Sequence, residues 1–242
     1  MVNGMAEHPP DLIYEARRVR CVPDGARRIR WLFIRPAEQD FESEIDLQVR
    51  AGEQVAIVGA PGSGKTLLAE TLTLRQRPGS GEVWFEGQQI TRWSDRKLRA
   101  VRPRLQYVFS DPRRALSPKA GVREVVEEAR GLVKGGGLTA VAALELAGLN
   151  GAVADRALAD LSVVQRQRVA LARALAAKPV MLVWDTPVAL FNRGGQAAFF
   201  ETLRSAQHQI GVAVVWTTED ATLAAQFADR ALRLAGGRLQ AI

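Results

Sequence analysis

Cysteine is almost missing from this chain. Cys21 is the only one, which excludes intrachain disulfides, thiolate zinc sites and iron–sulfur clusters and fits a reducing cytosol. Long hydrophobic runs are missing too. The most apolar segments, VMLVW at Val180–Trp184 and VAVVW at Val212–Trp216, fall far short of the roughly 20 residues that cross a bilayer. They have the length of buried strands. The opening residues, MVNGMAEHPP, hold no hydrophobic signal region, so a cytoplasmic chain is expected. Histidine is confined to His8 and His208. No internal repeat and no low-complexity tail is seen. With 242 residues, the chain can build one large α/β domain or a core with an inserted subdomain. Its net charge of +7 comes with an arginine excess dense between Arg17 and Arg35. Solvated strand and loop faces account for that excess; nucleic acid or anionic lipid headgroups are the alternatives.

What the chain does have is VAIVGAPGSGKT at Val55–Thr66. Val55 to Val58 read as a short buried strand. Gly59, Ala60, Pro61, Gly62, Ser63, Gly64, Lys65 and Thr66 fill every position of G-x-x-x-x-G-K-[ST], and a helical run opens with Leu67 and Leu68. Strand, loop and helix are the context this motif requires. Glycines let the backbone curl so that successive N–H groups point inward at a polyphosphate. The helix N-terminus adds partial positive charge. Lys65 can reach the β- and γ-phosphates, and the Thr66 hydroxyl can ligate Mg²⁺. A glycine-rich turn without a ligand would leave the lysine unexplained.

Around this loop the patterning predicts strands at Leu12–Val22, Ile29–Ile34, Phe41–Val49 and Glu82–Gly87, which look like a flanking antiparallel sheet. Leu105–Phe109 reads as a further buried strand. From about Val122 to Leu175 the spacing is helical, an insertion. Strands at Val180–Trp184 and Val212–Trp216 then alternate with helical runs at Gly194–Gln207 and Ala221–Ala228, and a terminal hairpin turns at Gly236-Gly237. Such alternation implies a parallel sheet.

A second constellation is LSVVQRQRVALARAL at Leu161–Leu175, with Ser162 as a good helix N-cap. The order of phosphate loop, strand ending in FSDP, helical insert, LSVVQRQRVALARAL and KPVMLVWDTP resembles the nucleotide-binding subunits of ATP-binding cassette (ABC) transporters over almost the whole chain. FSDPRRALSPKAGVREVVEEA is similar to the oligopeptide, dipeptide and nickel importer branch, with antimicrobial-peptide uptake subunits as a closer comparison. A soluble P-loop kinase or GTPase would not need the second constellation. The resemblance implies an α/β P-loop NTPase (RecA-like) core with an antiparallel β subdomain, both within 11–110 and 178–242, and an inserted helical subdomain at 111–177. Together they would form a single nucleotide-binding domain over 1–242. It implies ATP and Mg²⁺ as cofactors, with Thr66 and Asp185 toward the metal. It also implies a head-to-tail dimer in which each ATP sits between one subunit's loop and the other's signature, here Leu161, Ser162, Val163, Val164 and Gln165. The partners would be a second ATP-binding subunit (the same chain or, as expected here, a related one), transmembrane permease subunits and, indirectly, a periplasmic or extracellular solute-binding protein. No nucleic acid is expected. The location would be peripheral, on the cytoplasmic face of the inner or plasma membrane.

The departures from that family pattern are informative. Asp185 matches the Walker B aspartate, but the next position, normally the glutamate that handles the attacking water, is Thr186. Loss of a positioned base typically costs about 10²–10⁴ in rate. The glutamine expected at the end of the strand before the helical insert is the shorter Ser110. The switch histidine is replaced by Glu219, before Asp220, and a carboxylate there would repel a γ-phosphate. The usual S-A-L-D loop is Ala189-Leu190-Phe191-Asn192. Val163 and Val164 stand for the two signature glycines, and branched side chains obstruct close approach to a phosphate. The adenine-stacking aromatic falls near Cys21–Val22; Tyr14, Trp31 or Phe33 would fit only in a shifted register. These changes, beside an intact loop and Asp185, point to nucleotide binding with weakened turnover. A non-hydrolysing regulatory or structural subunit is the alternative.

Overall fold

The computed structural model describes residues 9, 11–23, 43–117, 119–188 and 191–242. The strand expected at Ile29–Ile34, with Trp31 and Phe33, lies outside the described residues, as do Ala189 and Leu190 of the loop after Asp185.

Two sheets organise the chain. β1 (Leu12–Arg20), β2 (Ile45–Arg50), β4 (Ser80–Phe85) and the short β5 (Gln88–Gln89) form an antiparallel sheet in the order β2-β1-β4-β5. The second sheet has six strands in the order β10-β9-β3-β8-β7-β6. Its members are β3 (Gln54–Val58), β6 (Leu105–Val108), β7 (Met181–Trp184), β8 (Ala213–Thr218), β9 (Arg230–Ala235) and β10 (Arg238–Ala241). Its pairings are parallel except for the terminal hairpin of β9 and β10.

Period-two alternation splits the central strands between two cores. Val55 and Ile57 of β3, Met181 and Val183 of β7, and Ala213 and Val215 of β8 pack on one face. That face is shared with Leu68, Ala69 and Leu72 of α1 (Lys65–Leu72) and with the antiparallel sheet. Ala56, Val58, Leu182, Trp184, Val214 and Trp216 point to the other face. There they meet α6 (Arg193–Ile210) through Phe199, Phe200 and Leu203, α7 (Ala221–Phe227), and the helices that follow β6. Trp184 lies edge-on to Phe199 at 5.1 Å between ring centroids, and Trp216 lies 4.4 Å from Phe200. Both core faces of the loop-bearing strand are thus clamped.

Besides these, α2 (Asp95–Leu98) precedes β6. Between β6 and β7 run α3 (Val122–Gly131), α4 (Ala140–Leu146) and α5 (Val163–Ala176), with 3₁₀ turns at Pro112–Arg114, Gly151–Asp155 and Leu158–Asp160. The helix start expected at Ser162 is a reciprocal capping box: its hydroxyl accepts from the Gln165 N–H, and the Gln165 side chain accepts from the Ser162 N–H.

β1 carries a bulge the patterning did not anticipate. Its register shifts against both neighbours between Ala16 and Arg20, and Arg18 takes a φ of 49°. Gly81 of β4 faces it with φ +87°, and a Cβ there would sit 2.2 Å from the Arg18 carbonyl oxygen. Gly81→Ala should therefore lower unfolding stability by about 2 kcal/mol or more, from left-handed strain plus overpacking; urea denaturation measures it. Of the arginines between 17 and 35, Arg17 lies over the Trp84 ring at 5.0 Å, Arg18 pairs with Glu44 and Arg20 is exposed.

Candidate functional site

The glycine-rich loop leaves β3 at Val58 and enters α1 at Lys65. The Gly59 N–H donates to the Thr218 carbonyl at 3.0 Å, which pins the start of the loop to the end of β8. Gly62 and Gly64 both take positive φ, 75° and 91°, a conformation for which glycine carries no Cβ penalty. A Cβ at Gly59 would stand 2.4 Å from the Ser63 hydroxyl oxygen and 3.2 Å from the Leu234 carbonyl oxygen, so the serine side chain would have to turn away. That hydroxyl is buried and has no hydrogen-bond partner among the described residues. The first N–H groups of α1 lack intrahelical acceptors by construction.

Lys65 is buried, and its ammonium donates to the carbonyls of Gly59 and Ala60, both at 2.8 Å. Its third neighbour is Glu219, whose Oε1 lies 3.5 Å away. Thr66 is exposed, and its hydroxyl donates to Asp185 Oδ2 at 2.8 Å. Asp185 is buried at the end of β7, and its Oδ1 accepts from the Thr217 hydroxyl at 2.8 Å. Thr217 is held there by sheet register, since Trp184 of β7 pairs with Trp216 of β8. Its hydroxyl oxygen also accepts from the Thr186 N–H at 2.9 Å. Thr186 has a φ of 47°, a strained value for a β-branched residue. Its hydroxyl stands 3.2 Å from the Thr217 hydroxyl and 3.4 Å from Asp185 Oδ1.

The fold thus brings together the loop, Lys65, Thr66, Asp185, Thr186 and Glu219 at the C-terminal ends of β3, β7 and β8. Thr217 is the member that sequence reasoning missed. The signal was available: the first residue of TT, at the C-terminal end of a strand lying parallel to the one that leads to Asp185. Leu161–Gln165 sit at the start of α5, where Ser162 is exposed and Val163 is 45% exposed. Val164 packs against the core of the helices, and none of Leu161–Gln165 hydrogen-bonds the loop or Asp185 among the described residues. Ser110 lies just past β6, partly buried. Nearby, Gln167 of α5 donates weakly to the Phe109 carbonyl at 3.5 Å.

Tyr14 must be withdrawn as an adenine platform. It is fully buried in the antiparallel sheet, its hydroxyl donates to the Leu72 carbonyl, and burial pushes its pKa well up. Cys21 and Val22 are buried too, and burial pushes the Cys21 thiol up to about 11, so no reactive thiolate stands there. Tyr107 and Phe109 form an edge-to-face pair beneath the guanidinium groups of Arg75 and, for Phe109, Arg114. Burial first, then the negative charge of Asp185, raises the Tyr107 pKa.

Asp185→Ala would leave the Thr66 and Thr217 hydroxyls without their acceptor. The expected loss is about 1–3 kcal/mol of stability, read from the unfolding midpoint. Among the described residues no helix is long and apolar enough to cross a membrane, and no group of three or more His, Cys, Asp or Glu is placed to hold a metal ion by itself.

Comparison with known proteins agrees with this geometry. The profile of the ABC transporter family matches residues 43–189. The Brucella ovis "Putative peptide import ATP-binding protein" is 31% identical over 86% of this chain and 67% of that protein. The nickel import ATP-binding protein NikE of Pseudomonas putida is 34% identical over 81% of this chain and 73% of its own length. Among solved structures, the dimeric bacterial ABC transporter cassette MJ0796 superposes with a TM-score of 0.80 at 24% identity, over 94% of this chain and 97% of that one. At that identity the likeness speaks for the fold, a P-loop α/β cassette. A phosphate loop on a parallel sheet, a buried aspartate at the next strand but one, and relatives matched over most of its length together establish that this chain belongs to the ABC transporter family as one of its ATP-binding cassettes.

Proposed function

We propose that the chain is the ATP-binding subunit of an ABC importer for peptides, working on the cytoplasmic face of the membrane against transmembrane permease subunits. It grips nucleotide well and hydrolyses it poorly by itself. The observation that carries this reading is the contrast at one strand-end cluster. Lys65, Thr66, the loop backbone and Asp185 stand in binding order, while the residue after Asp185 is a threonine tied to its neighbours.

The residues fit a polyphosphate. The buried Ser63 hydroxyl, without a partner among the described residues, and the α1 N-terminus supply donors, and Lys65 supplies charge. Thr66 and Asp185, whose oxygens already meet at 2.8 Å, would hold Mg²⁺, which neutralises phosphate charge when bound. Asp185 is itself oriented by Thr217, so its carboxylate faces the loop without a search. Thr186 offers no proton acceptor of useful basicity near neutral pH. Val163, exposed at the α5 start, would stand between a partner's nucleotide and the Ser162 backbone. A related second subunit, with glutamate and glycines at the matching positions, would complete the dimer. Closure on ATP would then bias the permease by its differential affinity for the closed state. The peptide assignment rests on the names of relatives such as the Brucella ovis protein.

The test is co-purification with the candidate second cassette and permease, followed by ATPase assay of chain and complex. The proposal expects low activity from the chain alone and peptide-stimulated activity from the complex. Association without any hydrolysis in the complex would favour a nucleotide-dependent structural subunit, a reading that the Glu219–Lys65 contact also supports.

A further inference from the structure

We propose that Glu219 makes this site prefer a nucleoside diphosphate over a triphosphate. The inference rests on the nucleotide-binding reading above and asks which phosphate chain the site accepts.

Among the described residues the Lys65 ammonium has three close oxygen neighbours. Two are backbone carbonyls of its own loop, Gly59 and Ala60 at 2.8 Å. The third is the Glu219 carboxylate at 3.5 Å. The ammonium has three N–H donors, so loop and Glu219 together surround its charged end. Lys65 is only 8% exposed at its side chain, whereas Glu219 is 55% exposed. The carboxylate therefore closes the solvent side of a buried cation.

The geometry assigns the two ends of a phosphate chain to different surroundings. The β-phosphate of a nucleotide nests in the loop amides at the α1 N-terminus. A γ-phosphate extends beyond them toward the strand ends, where Lys65 must reach it. Those strand ends carry Asp185 just past β7 and Glu219 just past β8. Thr66 and Thr217 are bonded to Asp185 and divide that carboxylate's charge among hydroxyl donors. Among the described residues Glu219 has no such donor, and its one close cation is Lys65. A diphosphate can share Lys65 with it. A triphosphate places a further anionic group against the carboxylate and competes for the same ammonium. Like charges a few ångströms apart at a partly buried site repel strongly enough to shift affinity by an order of magnitude or more.

Nothing else in the cluster performs this discrimination. Asp220, the adjacent carboxylate, is committed to capping α7, accepting from the N–H groups of Thr222 and Leu223. Thr218 uses its carbonyl on Gly59 and its hydroxyl on the Asp220 N–H. Among the described residues Glu219 alone is both negatively charged and paired with Lys65.

The experiment is calorimetric titration of the full chain with ADP and with ATP, each with magnesium, in the natural chain, Glu219→Gln and Glu219→Ala. Glu201→Gln, which neutralises an exposed carboxylate on α6, controls for net charge. The natural chain should bind ADP more tightly than ATP. Both Glu219 variants should tighten ATP by about tenfold or more while changing ADP little, and Glu201→Gln should keep the natural ratio. An unchanged ATP-to-ADP ratio in the Glu219 variants would overturn the proposal and leave the nucleotide reading standing. Failure of every variant to bind either nucleotide would remove both.

Discussion

Combining Thr186→Glu, Glu219→His, Ser110→Gln, Val163→Gly and Val164→Gly in this chain should raise its ATP turnover about 10²–10⁴-fold. The expectation follows from where these residues stand. Position 186 directly follows the buried Asp185 and lies against the loop-facing cluster. Its present side chain ends in a hydroxyl held by Thr217 and Asp185, so no basic oxygen is available to take a proton from water. Glutamate supplies one. The backbone there is already left-handed at φ 47°, and an unbranched glutamate tolerates that better than threonine does. Histidine at 219 replaces a repelling carboxylate with a donor. In the proposed head-to-tail dimer the glycines would act on the other subunit's site: Val163 is exposed at the α5 N-terminus, where its branched side chain would hold a partner's phosphate away from the helix amides. The same set without the glycines should therefore gain little in a homodimer. A full gain without them would mean that the signature substitutions have no effect on turnover. Steady-state phosphate release over a range of protein concentrations reads both outcomes.

Lys65→Ala should weaken nucleotide affinity about 10- to 100-fold, the loss of charge-assisted contacts to a phosphate chain. Lys65 is buried and also stitches the loop, through the carbonyls of Gly59 and Ala60. Part of the effect would be a slackened loop. Lys65→Met keeps the apolar stem and removes only the ammonium, so a similar loss in both variants assigns it to charge. Unchanged affinity in both would end the assignment of this loop to phosphate.

The central architecture was legible because alternation and length agree. VAIV, MLVW and AVVW became the buried strands β3, β7 and β8, with successive residues dealt to opposite cores. The helix at Ser162 was legible because its cap is local chemistry. Other features depend on neighbours far along the chain. Thr217 acquires its role only once β7 and β8 pair in register. Tyr14 looked like a candidate aromatic platform, but its partner is a carbonyl 58 residues away, at Leu72. The left-handed Arg18 and the glycine that permits it at 81 are likewise a tertiary agreement between two strands. The contact between Glu219 and Lys65 joins residues 154 positions apart (219 − 65); a family pattern suggested the position, and only the folded sheet shows the ion pair.

The most direct measurement mixes the isolated chain with γ-labelled Mg-ATP, at protein concentrations above the dissociation constant, and follows bound label and released phosphate together. Protein-bound label should appear promptly and stay chemically intact ATP long after a competent cassette would have emptied. Prompt release of labelled phosphate, or no retained nucleotide at all at saturating protein, would contradict a chain that binds Mg-ATP through Lys65, more weakly than ADP, and lacks the groups to cut it.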